Sequence, residues 1–570
     1  MDSKSIKEAE DHNELRKSLE GKPYGVQKVM LMKKLGHKWD KAAVIAGIVL
    51  IAWAKNWEGN VVYSASTYIT SYFDALNLAS LINVVLYIVE TALLPFYAKF
   101  ADMIGRTEGF AISIFFYVLS GIVQAVAPNF DTLVGGQVIY ALGITGVGIL
   151  GHVLIADITT SVNRGLFQAF YDFPAIINIF VAPIVGEALV KANAWRWAYS
   201  MICFCITATA IPLMTGLVRL ESTIKKSDLM PQKSQEKSTL FEKVKWFCHE
   251  LDVIGSLLFI GALCMILLPL VLATGYWGGW NSPSTIGSLV GGVVCAGVFC
   301  LWEWKMATKP MVPLGRWTTW TPIAGVLCCA TVSVFHASNW TYHITYLQIS
   351  RRLSITTSTF IDRSYDAIFL VAQILSGYLM RRFKVYRPIV FAGLALLMLG
   401  IGLMIPSRFP TSPLGFVVIT QLIAGCGAGF IYVPILVAVQ SSVPEPDIAI
   451  VTALFQIGGT IATSIGSSVA GAIWNNMLPT ELAKHVPGEY DAASILGDIT
   501  YINALPEDQY DGTVTAYGNV QRILSIASLG IAVLAFIFFL GMRGFTLSDE
   551  EDTKDEPLDE KSNEIINEKL

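Results

Sequence analysis

The stretch AKFADMIGRTEG, residues 98–109, places four charged side chains between two long apolar runs. Charged side chains are costly in contact with lipid, so a chain that crosses a membrane confines them to loops or to sites lined by protein. The stretch therefore indicates a short polar connection between two membrane-spanning helices. This interpretation sets the frame in which the rest of the sequence is divided.

The composition supports an integral membrane protein. Of the 570 residues, 54% are hydrophobic and 15% are charged, whereas soluble domains carry about 25% charged residues. The net charge is only −4, and the basic blocks are short and lie between apolar runs. This pattern disfavours a nucleic-acid partner and predicts a lipid bilayer around the chain.

The apolar runs predict fourteen transmembrane helices, since one span needs roughly 20 mostly apolar residues. Lys and Arg concentrate in the amino-terminal arm and in the loops after the second, sixth, eighth and tenth spans, which places both termini in the cytosol. The predicted parts are a cytosolic arm (1–41), a six-helix bundle (42–217), a cytosolic loop (218–250), two additional transmembrane helices (251–304), a second six-helix bundle (305–543) containing a long external loop (476–521), and an acidic cytosolic tail (544–570).

No chemistry-bearing motif indicates an enzyme. The chain has no Gly-x-x-x-x-Gly-Lys-[Ser/Thr] pattern for cradling phosphate and no visible catalytic constellation. We therefore predict no catalytic residues, no cofactor and no metal site. The nine cysteines fall in apolar spans or on the cytosolic side, where cysteines usually act as small buried hydrophobes. Any transport is expected to draw its energy from an ion gradient.

The opening stretch resembles the signature loop of the major facilitator superfamily. The matching residues are Ala98, Asp102, Gly105 and Arg106, and in that family the Asp and Arg pair across the inner gate when the protein faces outward. The segment GYLMRRFKVYR, which begins at Gly377 after the tenth span, repeats the pattern with Arg in place of the acid. Such an echo is expected when two halves share an ancestry.

A second resemblance concerns the fifth span. The segment NIFVAPIVGE, residues 178–187, is similar to the Gly/Pro motif of proton-driven antiporters in this superfamily. Small residues let helices approach closely, and proline allows a kink for alternating access. The resemblance implies gate residues at Asp102, Gly105, Arg106, Pro183 and Gly186.

Longer blocks resemble the fungal siderophore–iron transporters of the fourteen-span type. These blocks include residues 55–76, 136–159, 165–187 and 194–204. The fourth span carries Gln137, where many drug antiporters have Arg, which weakens a drug-efflux assignment. The resemblance implies an all-α major facilitator fold of two six-helix bundles with two extra helices between them.

The function implied by this family is proton-coupled import of ferric siderophores by a symporter in the plasma membrane. Haem import and exchange of glutathione or another organic anion with protons remain alternatives, as do endosomal and vacuolar membranes. A receptor without turnover is disfavoured because the cytosolic loop and tail are too short for a folded domain.

Acidic residues inside the spans are the first candidates for the site. Glu58 and Glu187 are expected to contact cargo and to carry the coupling proton. A permanent ion pair with Lys55 would instead make Glu58 structural. Asp362 and Asp366 are four residues apart and are expected to share a helix face, although Arg363 could neutralise Asp362.

Aromatic residues near these acids are candidates for binding the apolar face of a cargo molecule. Tyr63, Tyr171 and Phe173 are expected to line the cavity, with an interfacial aromatic belt as the alternative. Tyr510 and Tyr517 are expected to close over cargo from the long external loop, which would otherwise act as a spacer.

Overall fold

The computed structural model describes residues 24–158, 174–225, 252–273, 276–306, 319–443 and 448–544. The regular secondary structure of these residues is entirely helical. The helices are α1 (Tyr24–Leu35), α2 (Lys38–Tyr72), α3 (Ala79–Ile104), α4 (Arg106–Ala125), α5 (Phe130–Ile158), α6 (Pro174–Lys191), α7 (Trp197–Lys225), α8 (Val253–Leu272), α9 (Pro283–Lys305), α10 (Thr321–Trp340), α11 (His343–Arg351), α12 (Ile355–Asp362), α13 (Ser364–Phe383), α14 (Arg387–Ser407), α15 (Leu414–Gln440), α16 (Ile448–His485), α17 (Ala492–Gly497), α18 (Ile499–Asn503) and α19 (Glu507–Leu540).

Fourteen of these helices have 18 or more residues, and each matches one of the predicted spans. Ten stretches of helix in the described residues are long and apolar enough to cross a membrane. The described residues of the long helices α2, α6, α13 and α16 do not contain such a stretch. The all-α membrane fold predicted from the sequence is confirmed.

The connection at Gly105 shows how the opening stretch turns the chain. Gly105 has φ of 130°, a region that L side chains rarely adopt, and it separates α3 from α4. A Cβ atom there would also collide with the carboxylate of Glu108 and approach the ammonium of Lys28. Glycine is therefore needed both for the backbone conformation and for the close approach of these charges.

The long helices form two halves, each with its own core. The N-terminal half comprises α2–α7, and its core includes Tyr117 and Leu150. The C-terminal half comprises α10–α16 and α19, and its core includes Leu397 and Ile431. A separate core in each half is what a movement of the halves as two bodies requires.

Two additional helices, α8 and α9, lie at the edge of the interface between the halves. Helix α8 packs against α3 and α16, while α9 packs against α8. Trp280 Nε1 donates to Asn476 Oδ1 at 2.8 Å, and this bond ties the α8–α9 connection to α16.

The two ends of the bundle differ in how the chain covers them. We call the end that carries α1, Gly105 and Arg543 the proximal face, and the end that carries residues 486–506 the distal face. The sequence predicts that the proximal face is cytosolic. At the distal face, a third core combines residues of α11 and α16–α19 with Leu76 and Tyr342.

The segment predicted as a long external loop is mostly helical. Helix α16 continues to His485 and α19 begins at Glu507, so the connection is residues 486–506 and contains the short helices α17 and α18. Trp474 of α16 stacks on Tyr342 with ring centroids 4.3 Å apart. Apolar contacts of this kind extend both helices beyond the predicted span limits.

Candidate functional site

Hydrogen bonds join the two halves across the distal side of the bundle. Tyr63 Oη donates to Asp362 Oδ2 at 2.8 Å, and the hydroxyls of Thr67 and Thr345 lie 3.2 Å apart. Glu187 accepts from the backbone N–H of Thr356 at 2.7 Å. We call this set of six residues the distal gate; in the structure it is closed.

A buried polar chain runs from the gate into the C-terminal half. Asp362 Oδ1 lies 2.8 Å from His343 Nδ1, and His343 Nε2 lies 3.3 Å from Gln421 Nε2. Asp362, His343 and Gln421 are fully buried. Buried polar groups of this kind need hydrogen-bond partners. Tyr63 of the opposite half is one partner of Asp362.

The neighbouring ion pair corrects two expectations about Asp362. Arg363 pairs with Asp366 at 2.8 Å rather than with Asp362, and its guanidinium lies 4.0 Å from the centre of the Tyr63 ring. Asp362 and Asp366 also do not share one regular helix, because α12 ends at Asp362 and α13 begins at Ser364. The break at Arg363 turns Asp362 toward Tyr63 and His343.

Glu187 holds the second polar contact of the gate. Its carboxylate lies 2.6 Å from Lys191 Nζ on the next turn of α6. Its bond to the Thr356 N–H falls on the first turn of α12, where the free N–H groups favour a negative charge. The position links α6 of one half to α12 of the other.

The two predicted gate residues of α6 lie beside this contact. The carbonyl of Pro183 accepts from Thr356 Oγ1 at 3.4 Å. Gly186 packs so closely on α2 that a Cβ atom would collide with the hydroxyl of Ser64. Pro183 has no N–H, so it frees the carbonyl four residues earlier in α6 and loosens the helix there, and the glycine lets α6 approach α2.

Glu58 is enclosed within the N-terminal half. It is 2% exposed, and its Oε2 accepts from the hydroxyls of Tyr117 and Tyr140, both at 3.0 Å. The alternative of a permanent ion pair with Lys55 stays a prediction. The carboxyl sits in a dry site with two neutral donors.

A cavity of about 150 Å³ opens between helices of the C-terminal half. Its wall combines the aromatic side chains Tyr365, Phe369 and Tyr432 with His336 and Asp366. His336 Nδ1 is buried without a hydrogen-bond partner. The cavity therefore has an aromatic wall, an imidazole nitrogen of His336 that is free to form a hydrogen bond, and the carboxylate of Asp366.

The proximal side carries a different charge cluster. Arg106 is the first residue of α4 and is 4% exposed. Lys28 of α1 pairs with Glu108 at 2.9 Å and with Glu221 at 2.5 Å. Burial by itself would lower the pKa of Lys28. The hydrogen bonds that Lys28 donates to Glu221 and Glu108 outweigh the effect of burial and raise the pKa above its usual value.

Several predicted site residues cannot be placed in these contacts. Asp102 belongs to the last turn of α3, but its side chain lies outside the described part of the structure. Tyr171 and Phe173 also lie outside the described residues. Their assignments remain predictions.

Tyr510 and Tyr517 lie in α19 rather than in a loop. Their hydroxyls donate to the backbone carbonyls of Ile349 at 2.6 Å and Ile495 at 3.0 Å. Both side chains are buried. Both rings belong to the apolar core at the distal face, and their proposed contact with cargo stays a prediction.

Two functional candidates were missed from the sequence. His343 lies in a short helix, α11, that has no regular apolar pattern to expose it as a site. Arg408 follows α14, where it resembles an ordinary loop arginine, yet it is 1% exposed. A charged residue that the tertiary structure buries leaves no signal in local sequence.

No group of three or more His, Cys, Asp or Glu side chains in the described ranges could hold a metal ion. The ionisable residues of the site are arranged as hydrogen-bonded chains and ion pairs. They suit the handling of protons and the opening of a gate.

Comparisons with known sequences agree on one family. The model of the Major Facilitator Superfamily matches residues 44–361 and 253–467. The chain is 30% identical to the MFS siderochrome iron transporter C of Aspergillus fumigatus, over 85% of this chain and 80% of that one. It is 31% identical to the siderophore iron transporter mirC of Emericella nidulans, over 84% and 79%.

A more distant relative and two solved structures give the same picture. Siderophore iron transporter 1 of Schizosaccharomyces pombe is 29% identical over 85% of this chain and 79% of that one. A bacterial homolog of the human lysosomal transporter Spinster has a TM-score of 0.58 at 14% identity, covering 89% and 98%. A POT family transporter in complex with 5-aminolevulinic acid has a TM-score of 0.54 at 12% identity, covering 90% and 99%. At these identities the two structures show the fold alone.

Proposed function

The chain belongs to the major facilitator superfamily and, within it, to the siderophore iron transporters of fungi, and on that premise we propose that it imports ferric siderophores with the proton gradient as its energy source. The relatives named as siderophore and siderochrome iron transporters support the cargo. The chain is a transporter and not an enzyme. We place it in the plasma membrane with both termini in the cytosol.

The observation that carries the proposal is the distal gate. Polar groups of both halves meet there, with the half-buried Tyr63 and Glu187 on one side and the buried Asp362 and half-buried Thr356 on the other. Because each half has its own core, the gate can open by a relative movement of the halves. This arrangement suits alternating access, in which one face closes before the other opens.

We assign the residues to separate steps of this cycle. Cargo enters from the distal face while the gate is open and then contacts the cavity near Tyr365 and Phe369. Tyr63, Tyr171 and Phe173 remain proposed cargo contacts from the N-terminal half, as their sequence positions suggest.

We propose Glu58 as the carrier of the coupling proton, because it is a buried carboxyl with neutral partners. Desolvation favours the protonated form of such a group. Glu187 has a different task in this proposal, since its ion pair and its bond to α12 make it a gate residue. Glu187 remains the second candidate for proton coupling.

Asp102 and Arg106 are the proposed gate residues of the proximal side. Their spacing matches the family signature, and Arg106 lies buried at the start of α4. Asp102→Asn and Arg106→Ala are each expected to reduce transport strongly while surface expression is retained.

Uptake in cells that lack their own carriers tests the proposal. Radiolabelled ferric siderophores, haem and glutathione are supplied separately to cells that express the full chain, at external pH 5 and pH 7.5. We expect ferric siderophores to accumulate, and more so at pH 5. Cells that express Arg106→Ala at equal surface density provide the control.

The two alternatives give distinct outcomes in the same experiment. Accumulation of haem without siderophore would identify a haem importer. Efflux of preloaded glutathione against protons would identify an exchanger. Either result would reject the proposed cargo.

A further inference from the structure

We propose that Asp362 and His343 form a proton-binding site whose occupation opens the distal gate, and that Arg408 drives the proton off when the gate closes. This inference rests on the proposed function, because it concerns the coupling ion of that transport cycle. It assigns to the C-terminal half a proton site that is separate from Glu58.

The hydrogen bonds of the closed gate define the unprotonated form of the site. Gln421 Nε2 lies 3.3 Å from His343 Nε2, and because an amide nitrogen can only donate, His343 Nε2 is the acceptor of this bond. His343 then carries its hydrogen on Nδ1 and donates it to Asp362 Oδ1. Neutral histidine and ionised aspartate satisfy every one of these bonds.

Tyr63 completes the coordination of Asp362 from the other half. Its hydroxyl donates to Oδ2 while His343 donates to Oδ1. A carboxylate accepts these bonds more strongly than a neutral carboxylic acid does. The closed gate therefore stabilises the ionised aspartate, and loss of that charge weakens the bond between the halves.

Arg408 is the unusual member of this cluster. Its guanidinium is buried, and none of its three nitrogens has a hydrogen-bond partner in the structure. Tyr346 connects it to the site: the Tyr346 hydroxyl donates to the Arg408 carbonyl at 2.9 Å, and the Tyr346 ring stacks on His343 at 6.2 Å. The Arg408 guanidinium also lies 5.6 Å from the centre of the Tyr346 ring, so one aromatic ring separates its charge from His343.

The charged groups around the pair are nearly balanced while it is unprotonated. Two carboxylates, Asp362 and Asp366, face two guanidiniums, those of Arg363 and Arg408. The titratable and charged groups that surround the pair are Tyr63, His336, Tyr346, Arg363, Asp366 and Arg408. Beyond Arg408 lies the half-buried Arg351, whose guanidinium donates to the carbonyls of Pro410 and Ser412. One additional proton leaves the buried cluster with a net positive charge.

This charge gives the proton its effect on the gate. A net charge is unfavourable in a dry site and favourable where water reaches it. Protonation of the pair therefore favours the open gate, in which Tyr63 has withdrawn and water enters from the distal face. Closure returns Arg408 to a dry environment and expels the proton. The only covalent bond made or broken is the one to the proton, and opening breaks the hydrogen bonds between the halves.

The test measures the gate directly and needs no cargo. The full-length protein in nanodiscs carries p-acetylphenylalanine at Ala192 and Thr411, which are exposed residues of the two halves at the distal face. Ketone-reactive dyes at these positions report opening by energy transfer, and the native cysteines stay unlabelled. Transfer efficiency is recorded between pH 4.5 and pH 8.

The wild-type gate is expected to open as the pH falls. His343→Gln should keep the gate closed at every pH, because its neutral side chain cannot take the proton. Asp362→Asn should keep the gate more open at every pH, because the neutral asparagine gives the cluster the same net charge as the protonated pair. The two variants thus lose the pH response in opposite directions.

Arg408→Gln separates the role of the guanidinium from that of the pair. Without its positive charge the closed site tolerates the proton, so acid-induced opening should fall at least threefold. Arg522→Gln is the matched control. Arg522 stacks on Phe409, the neighbour of Arg408, at 4.6 Å and lies at the same face, and its removal should leave the response unchanged.

Three results would overturn the inference. They are a wild-type gate that does not respond to pH, a normal response in both His343→Gln and Asp362→Asn, and an equal effect of Arg408→Gln and Arg522→Gln. If Asp362→Asn does not fold, Tyr63→Phe replaces it and should raise the open fraction while retaining the pH response. Because cargo is absent, failure of siderophore uptake would not affect this outcome.

Discussion

Glu58 and Asp362 are both buried acids in a membrane protein, but their partners differ. Glu58 accepts from Tyr117 and Tyr140, and all three belong to the N-terminal half. Asp362 accepts from His343 in its own half and from Tyr63 in the other. The environment of Glu58 can thus travel with its half, whereas that of Asp362 must change whenever the distal gate opens.

The comparison separates carrying a proton from sensing one. A group enclosed in a moving body can bind a proton at one face and release it at the other. A group bonded across the interface instead couples its charge to the position of the halves. Burial alone does not distinguish these roles, but the partners do.

The largest expected effect tests the carrier role. Glu58→Gln should lower pH-driven accumulation of cargo at least tenfold, because the amide cannot take up the proton, while cargo binding is largely retained. Uptake and equilibrium binding of labelled ferric siderophore measure the two quantities. Glu489→Gln changes an exposed acid of the distal face and should leave both unchanged. Normal accumulation by Glu58→Gln would shift the carrier role to Glu187.

The next prediction compares a tyrosine bonded across the gate with one bonded within a half. A single hydrogen bond contributes about 1 kcal/mol, which corresponds to about a fivefold change in an equilibrium. Tyr63→Phe should therefore raise the ratio of open to closed distal gates about fivefold. Tyr117→Phe should alter it less than about twofold, since its bond does not cross the interface. Energy transfer between dyes at Ala192 and Thr411 measures both. Equal shifts would remove the distinction between the two acids.

Glu187 provides a smaller test within the gate itself. Glu187→Gln keeps the size of the side chain but loses the charge at the start of α12, and we expect the open ratio to rise about threefold. Lys191→Met removes only the exposed partner, and surface ion pairs contribute little, so its effect should stay below about twofold. The same dye pair reports both variants. A larger effect of Lys191→Met would show that the ion pair, and not the bond to α12, holds this contact.

The smallest effect is expected at the distal core. Tyr510→Phe and Tyr517→Phe remove hydroxyls that bond to backbone carbonyls of the same half. The KM for ferric siderophore should change less than about twofold, since a single neutral hydrogen bond within the half is lost. Thermal unfolding of the purified protein should show a modest fall in Tm. A fivefold rise in KM at normal Tm would return these tyrosines to the cargo site.

The fold followed from local sequence because its signals are local. Apolar runs of about 20 residues gave the fourteen long helices, and the charged connection at Gly105 ended the second of them. The helices around the distal core were the exception. Residues 476–485 and 507–521 are polar enough to suggest a loop, yet contacts such as Trp474 on Tyr342 hold them in helices.

The candidate site was only partly visible in the sequence. Glu58, Glu187, Asp362 and Asp366 stood out because acids are rare inside apolar spans. Their partners could not be predicted, since Tyr63 and Asp362 are 299 residues apart in sequence. The neighbour in sequence, Arg363, proved to be the partner of Asp366 instead.

The sequence by itself determined that this protein spans a membrane many times, that it belongs among transporters and which acids lie within apolar spans. Periodicity, charge bias and short motifs carry that information because each depends on residues within one helix or loop. Only the tertiary structure decided which residues contact each acid and buried the Arg408 guanidinium without a hydrogen-bond partner. Those properties depend on which helices meet, and side chains from distant helices create a site that no single segment encodes.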